Sequence, residues 1–242
     1  MVSLRRRFPD ARRVVVLTGA GISVASGLRT YRGPGGLWTE DPQLARQLVA
    51  GVDARELWSV ARAWRSEAAR AQPSAAHVAL AAYQAELERA GGTFTLVTQN
   101  VDGLHERAGS AGVVALHGSL WRNRCSRPGC ASEPVVAGSD VTAPPPCATC
   151  GAPLRPDIVL FEEPLGALEE WSAKKALRDV DLFVAIGTSG TVSPASNFVR
   201  AATYAGAHTV LVNLEANGGS GFDEVVTGDA EVLVPSLFAW PR

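Results

Sequence analysis

Four cysteines stand as two close pairs. Cys125 and Cys130 are separated by four residues, Cys147 and Cys150 by two, and sixteen residues lie between the pairs. Thiolates on two tight knuckles suit the tetrahedral shell of zinc. Pro128-Gly129 and Gly151 supply the turn residues such knuckles need. Four thiolates would fill the shell and leave no position for water, so the expected role is structural rather than catalytic. The plainer alternative, four buried free thiols, fits this spacing less well. Elsewhere, Gln99-Asn100-Val101-Asp102-Gly103 offers amides and a carboxylate that could read a carboxamide, though Asn-x-Asp-Gly is also a good turn. His117 is a candidate general base or a satisfied core histidine. Gly19-Ala20-Gly21-Ile22-Ser23 could cradle a diphosphate, and a plain tight turn reads equally well. It fails the G-x-G-x-x-G pattern, because Val24 occupies the third glycine position. Glu215 could accept hydrogen bonds from ribose hydroxyls or be a solvated loop residue.

The positions of these residues are set by a repeating pattern. Continuous apolar runs at 13–17 (RVVVL), 93–97 (TFTLV), 113–116 (VVAL), 182–186 (LFVAI) and 209–212 (TVLV) read as buried parallel strands, with a short sixth expected at 232–234. Helical patterns at 76–89, 167–179 and 193–204 lie between them. Alternating strands and helices predict a Rossmann-like doubly wound α/β sheet, whose ligands bind beyond the carboxyl ends of the strands. Each run ends in small or polar residues, and these include the candidates above. Two stretches break the alternation: 32–71, with a helix at 54–69 carrying Leu57, Ala61, Trp64 and Ala68 on one stripe, and 125–150 with the cysteines. The expected organisation is a nucleotide-binding domain of 1–31, 76–121 and 157–242, and a small domain of 32–75 and 122–156.

Bulk properties narrow the function classes. The chain has 242 residues, is 46% apolar and carries a net charge of −1, with no like-charge block beyond Arg5-Arg6-Arg7. A basic face for nucleic acid is not indicated. No run of 18 apolar residues exists, and four cysteines in a chain of this length are not a disulfide framework. The expectation is a soluble cytoplasmic protein, with no membrane or nucleic-acid partner and an oligomeric state the sequence does not set.

Taken together, Gly19 to Ser23, Ser26-Gly27, Tyr31-Arg32-Gly33, Thr98 to His105, His117-Gly118, the four cysteines, Gly187-Thr188-Ser189 and Asn213-Leu214-Glu215 resemble, in order, the motifs of the sirtuins, the NAD-dependent protein deacylases. The resemblance is to the bacterial type and is nearest to the class that includes desuccinylases. It implies NAD as co-substrate, one structural zinc and an acyl-lysine protein or peptide substrate. It also implies that Gly19, Ala20, Gly21, Ser23, Tyr31 and Arg32 surround the diphosphate, ribose and nicotinamide. Asn100 and Asp102 would bind nicotinamide with support from Gln99, and His117 would be the general base. Gly187, Thr188 and Ser189 would line the adenosine side, with Asn213 and Glu215 at its ribose. A substrate strand would lie along 159–165, including Val159 and Phe161.

Several residues depart from the family pattern. Tyr31 stands for the usual Phe, Glu162 for the usual Gly, and Val24 for a small Ala. Thr30 resembles the class that removes acidic acyl groups, but its Tyr-x-x-Arg pair is replaced by Arg62-Ala63-Trp64-Arg65. Arg62 and Arg65, three apart on a helix, could clamp an acyl carboxylate or simply be solvated. The expected function is lysine deacylation, with the acyl preference open. The alternatives are NAD hydrolysis or ADP-ribosyl transfer in the same site, or a module that senses NAD or ADP-ribose.

Overall fold

The computed structural model describes residues 2–31, 35–46, 48–49, 51–138, 142–188, 197–216 and 221–241. Among the described residues, nine strands follow in chain order: β1 Arg13–Thr18, β2 Thr93–Thr98, β3 Val114–Ala115, β4 Gly118–Cys125, β5 Val135–Val136, β6 Leu154–Ile158, β7 Leu182–Ile186, β8 His208–Asn213 and β9 Glu224–Thr227. Six form one sheet in the order β3-β2-β1-β7-β8-β9, and every neighbouring pair is parallel. β1 is central because both faces of RVVVLT are covered. Val14 and Val16 face the helices Ala75–Arg89 and Ala230–Leu237, whereas Val15 and Leu17 face the helices Ala167–Ala176 and Phe198–Tyr204. This is the doubly wound, Rossmann-like arrangement expected from the sequence. The chain proceeds outward from β1 to β3, then returns to lay β7 on the other side of β1. The strand order therefore reverses between β1 and β7, where open sheets of this type form a crevice.

The sixth strand is not where the sequence placed it. Residues 232–234 lie inside the helix Ala230–Leu237, and the edge strand is β9. Asp229 caps that helix by accepting from Glu231 N, and Ala230, Val234 and Leu237 are buried at helical spacing. The apolar run reads the same in either element, and the cap decides it.

β4, β5 and β6 form a second, antiparallel sheet. Helix Ala54–Arg70 packs against it, and Leu57, Val60 and Ala61 join Leu37, Leu48, Leu120, Ile158 and Leu160 in a separate core. Gly118 marks the passage from one sheet to the other. Its φ is +78°, and a Cβ there would lie 2.0 Å from Asp157 O. Only glycine allows the chain to leave β3 and pair with β6 within so few residues. The expected boundaries after residues 121 and 156 fall inside β4 and β6, each of which is a single piece of this sheet. No described helix is long and apolar enough to cross a membrane.

Candidate active site

The turn after β1 locks onto the turn after β7. Gly19 N donates to Ile186 O at 3.0 Å, and Gly21 N donates to Gly187 O at 2.9 Å. A Cβ on Gly21 would lie 2.6 Å from Gly187 Cα. These glycines are thus required by backbone packing at the head of the sheet. The residues after Gly19 form a 3-10 helix, Ala20–Ser26, rather than an α-helix, and Gly27 ends it with φ +85°. Above this junction opens a crevice of about 830 Å3 whose walls include Gly19, Ala20, Gly21, Gln99, Asn100 and His117. Gly187, Thr188, Asn213 and Glu215 also line it. A smaller cavity of about 80 Å3 continues from it past Asn100 and Val101 and is lined by Ser23, Tyr31, Trp64 and Asp102. The larger volume is in the range of small-molecule sites.

The strand ends are tied by hydrogen bonds among buried polar groups. Ser23 Oγ donates to Asp102 Oδ2 at 2.8 Å and accepts from Asn100 Nδ2 at 3.2 Å. Asn100 Nδ2 also donates to Gly19 O at 3.1 Å. Gln99 Nε2 reaches across β1 to Thr188 Oγ1 at 2.9 Å, and Asn213 Nδ2 donates to Thr188 O at 3.3 Å. Burial raises the Asp102 carboxyl above its ordinary value, and the bonds from Leu104 N and Ser23 only partly offset this. Burial, with the Asp102 charge nearby, pushes the Tyr31 hydroxyl up to about 12, so it stays protonated.

His117 follows β3 directly. Its Nδ1 lies 2.8 Å from Gln99 O, which can only accept, so Nδ1 carries the proton. Nε2 then holds the lone pair, and it has no partner among the described residues. Burial lowers the pKa of this imidazole, against the Gln99 bond, which raises it. A neutral imidazole of fixed tautomer on the crevice wall has the equipment of a proton acceptor.

Two further histidines lie behind the site. His77 Nδ1 accepts from Ser74 N at 3.2 Å, and its Nε2 is 3.5 Å from Ser23 Oγ. His105 Nε2 is 2.8 Å from Thr18 Oγ1, which donates to Thr98 Oγ1 at 2.9 Å. The rings are 4.6 Å apart. Burial drives His77 down to about 4 and His105 to about 3, the latter also by the nearby His77. Both are therefore neutral near pH 7.

The four cysteine sulfurs lie within 4.8 Å of one another, with Cys125 to Cys150 at 3.5 Å and Cys130 to Cys147 at 3.9 Å. Zinc bound to four sulfurs at about 2.3 Å in a tetrahedron sets sulfur–sulfur edges of about 3.8 Å. The four thiols fit one zinc ion. Arg127 N points at Cys125 Sγ at 3.4 Å, and Gly129 and Gly151 take positive φ in the two knuckles.

The Sir2 family profile matches residues 19–194, a span that contains the glycine turn, Asn100, Asp102, His117 and all four cysteines. The chain belongs to the Sir2 family. It is 43% identical over 233 residues to "NAD-dependent protein deacylase 2" of Pyrobaculum aerophilum, covering 94% of this chain and 90% of that protein. It is 44% identical over 233 residues to the NAD-dependent protein deacylase of Salmonella typhimurium, covering 93% of this chain and 82% of that one. Among solved structures, a Sir2 homolog–NAD complex superposes with a TM-score of 0.81 at 33% identity, covering 97% of this chain and 91% of that one.

Within this Sir2 fold, most residues singled out from sequence line the two joined cavities. Arg32 and Ser189 lie outside the described residues. Arg62 and Arg65 do not face the cavities. Arg62 is exposed, and Arg65 turns its guanidinium to Leu120 O at 2.5 Å and Asn123 Oδ1 at 2.6 Å, over the Trp58 ring. Of the two readings left open, clamp or solvated side chains, Arg65 follows neither: buried backbone and amide oxygens of β4 claim its donors. Val24 is exposed and lines only the larger crevice. Along 159–165, the amides of Val159, Leu160 and Phe161 are already engaged by His117 O, the Glu163 carboxylate and Leu48 O. Glu162, where the family usually has Gly, takes φ +69°. Sequence reasoning missed His77 as part of this network. The signal was there in Ser74-Ala75-Ala76-His77, a helix start whose third residue reaches back to the cap.

Proposed function

We propose that the chain is an NAD-dependent protein-lysine deacylase that converts acyl-lysine, NAD and one water into free lysine, nicotinamide and O-acyl-ADP-ribose. The observation that carries this reading is His117: a neutral imidazole, its tautomer fixed by Gln99, on the wall of a crevice that also presents Asn100 and, through the smaller cavity, Asp102. The names of the relatives support the same reading. A bound NAD supplies an electrophilic ribose carbon and nicotinamide as its leaving group, and the acyl carbonyl oxygen of the substrate is the nucleophile. Asn100 and Asp102, with Ser23 between them, would orient the nicotinamide carboxamide. Tyr31 would cover that pocket. His117 Nε2 would accept a ribose hydroxyl proton. Gly19, Ala20 and Gly21 would face the diphosphate, and Gly187, Thr188, Asn213 and Glu215 the adenosine half. The substrate strand would lie against Val159 and Phe161, between a nucleotide-binding lobe and the smaller lobe. One zinc on Cys125, Cys130, Cys147 and Cys150 would hold the second sheet. Intact thiolate ligands suit a reducing compartment, which supports a cytoplasmic location.

The test is mass spectrometry of NAD with acyl-lysine peptides, for the parent and for His117→Ala. O-acyl-ADP-ribose should form in step with nicotinamide. The variant should keep NAD affinity and lose at least about a hundredfold in turnover. Equal nicotinamide release with and without peptide would replace the deacylase by an NAD hydrolase, and unchanged turnover of the variant would remove the base assignment.

A further inference from the structure

A tight turn follows Val159 on the crevice wall. Leu160 O accepts from Glu163 N at 3.1 Å, and Glu162 holds the third place of the turn so closed. In turns that take a positive φ at that place, glycine or asparagine is the usual occupant. Glu162 sits there at φ +69° and is the one non-glycine residue with positive φ among the described residues. Its neighbours are committed. Phe161 N donates to Leu48 O at 2.8 Å. The Glu163 carboxylate accepts from Leu160 N at 3.1 Å, from Arg124 Nη2 at 2.9 Å and from Arg155 Nη1 at 2.5 Å. The Glu162 side chain, by contrast, is exposed, lines the large crevice and forms no hydrogen bond or ion pair among the described residues. Asp229, another acid of the lining, accepts from Glu231 N at 2.8 Å as a helix cap. Arg29 is the one arginine or lysine of the linings among the described residues, and it also lines the smaller cavity, which Glu162 does not.

We propose that Glu162 selects among substrate peptides, favouring those with an arginine or lysine within about two residues of the acyl-lysine and disfavouring those with an acid there. The inference rests on the deacylase reading and adds the class of peptide. A left-handed backbone is costly for a residue with a side chain, so its presence on the crevice wall points to a duty for that side chain. A peptide strand laid along Val159 and Phe161 passes this turn, which brings the residues flanking the acyl-lysine within reach of the Glu162 carboxylate. A guanidinium or ammonium there gains a charge-assisted hydrogen bond, whereas a carboxylate meets like charge. The bonds of Phe161 and Glu163 already fix the turn, so the peptide meets a carboxylate on ordered backbone and little further ordering is needed on binding.

The test compares kcat/KM for acetyl-lysine peptides that differ only in carrying Arg, Gln or Glu at the positions flanking the acetyl-lysine. In the parent, the best Arg peptide should exceed its Glu counterpart by about five- to tenfold, chiefly through KM, and the ratio should shrink in about 0.5 M salt. Glu162→Gln keeps the size of the side chain and the same backbone demand, and it should bring the ratio close to unity. Glu162→Lys should invert it. A role confined to folding would shift all the peptides alike and leave the ratio where it stands in the parent. Equal turnover of Arg and Glu peptides by the parent overturns the inference and leaves the deacylase reading intact. A folded Glu162→Gln that keeps the full ratio overturns the role of Glu162, whether or not Glu162→Lys folds. Nicotinamide release that no acyl peptide stimulates overturns the deacylase reading and this inference together.

Discussion

An imidazole at position 117 keeps its lone pair free to a lower pH than an unperturbed histidine, because burial lowers its pKa. The neutral form is the one that accepts a proton, so activity should fall only as pH drops through a value below the ordinary 6.5 or so. A pH profile of kcat/KM whose acid limb is centred above that value would contradict the placement of His117. Glu162 makes a second residue-scale case. A left-handed backbone costs a non-glycine residue about 1–2 kcal/mol, while glycine loses about 0.5–1 kcal/mol in chain entropy. Glu162→Gly should therefore stabilise the chain by about 0.5–1 kcal/mol, read as a higher urea midpoint. The cysteine spacing carried its residue chemistry openly, as did the order of the strand-end motifs. The network of Ser23, His77 and Asp102 did not, because its members come from three distant segments and each alone reads as a cap or a turn.

Helix Ala54–Arg70 shows what an element adds to its residues. Arg65 stands beside Trp64 in sequence, yet its guanidinium is held by β4. Arg65→Ala would strip donors from Leu120 O and the buried Asn123 and should cost about 2–4 kcal/mol. Arg62→Ala should stay within about 0.5 kcal/mol. Equal effects in chemical denaturation would refute this division. The five runs were legible as strands because the sheet is covered on both faces and apolar, β-branched residues dominate each run. β4 and β6 were not, since GSLWRNRC and LRPDI cover a half-exposed sheet with charged side chains and lack a continuous run. The Arg122–Asp157 and Arg155–Glu163 pairs that stabilise this second sheet look like surface charge in the sequence.

Over the whole molecule, the histidine pair behind the site links fold stability to pH. Unfolded, each imidazole takes a proton near pH 6.5. Folded, His77 does so only near 4 and His105 near 3. Between those values the unfolded chain binds up to two more protons than the native one. Stability from this pair is thus fully present above about pH 6.5 and is lost as pH falls, by at most about 2.7 kcal/mol per pH unit. Urea midpoints should drop between about pH 6.5 and about pH 5, and His105→Gln should flatten that drop; a flat parent curve would disprove the coupling. The division of labour on helix Ala54–Arg70 has a consequence on the evolutionary timescale. Its anchor and its pocket wall are adjacent codons with opposite duties. A lineage can revise position 64, on the cavity wall, while position 65 keeps the helix tied to the second sheet. The cavity lining can thus drift by single substitutions without loosening the tie to β4.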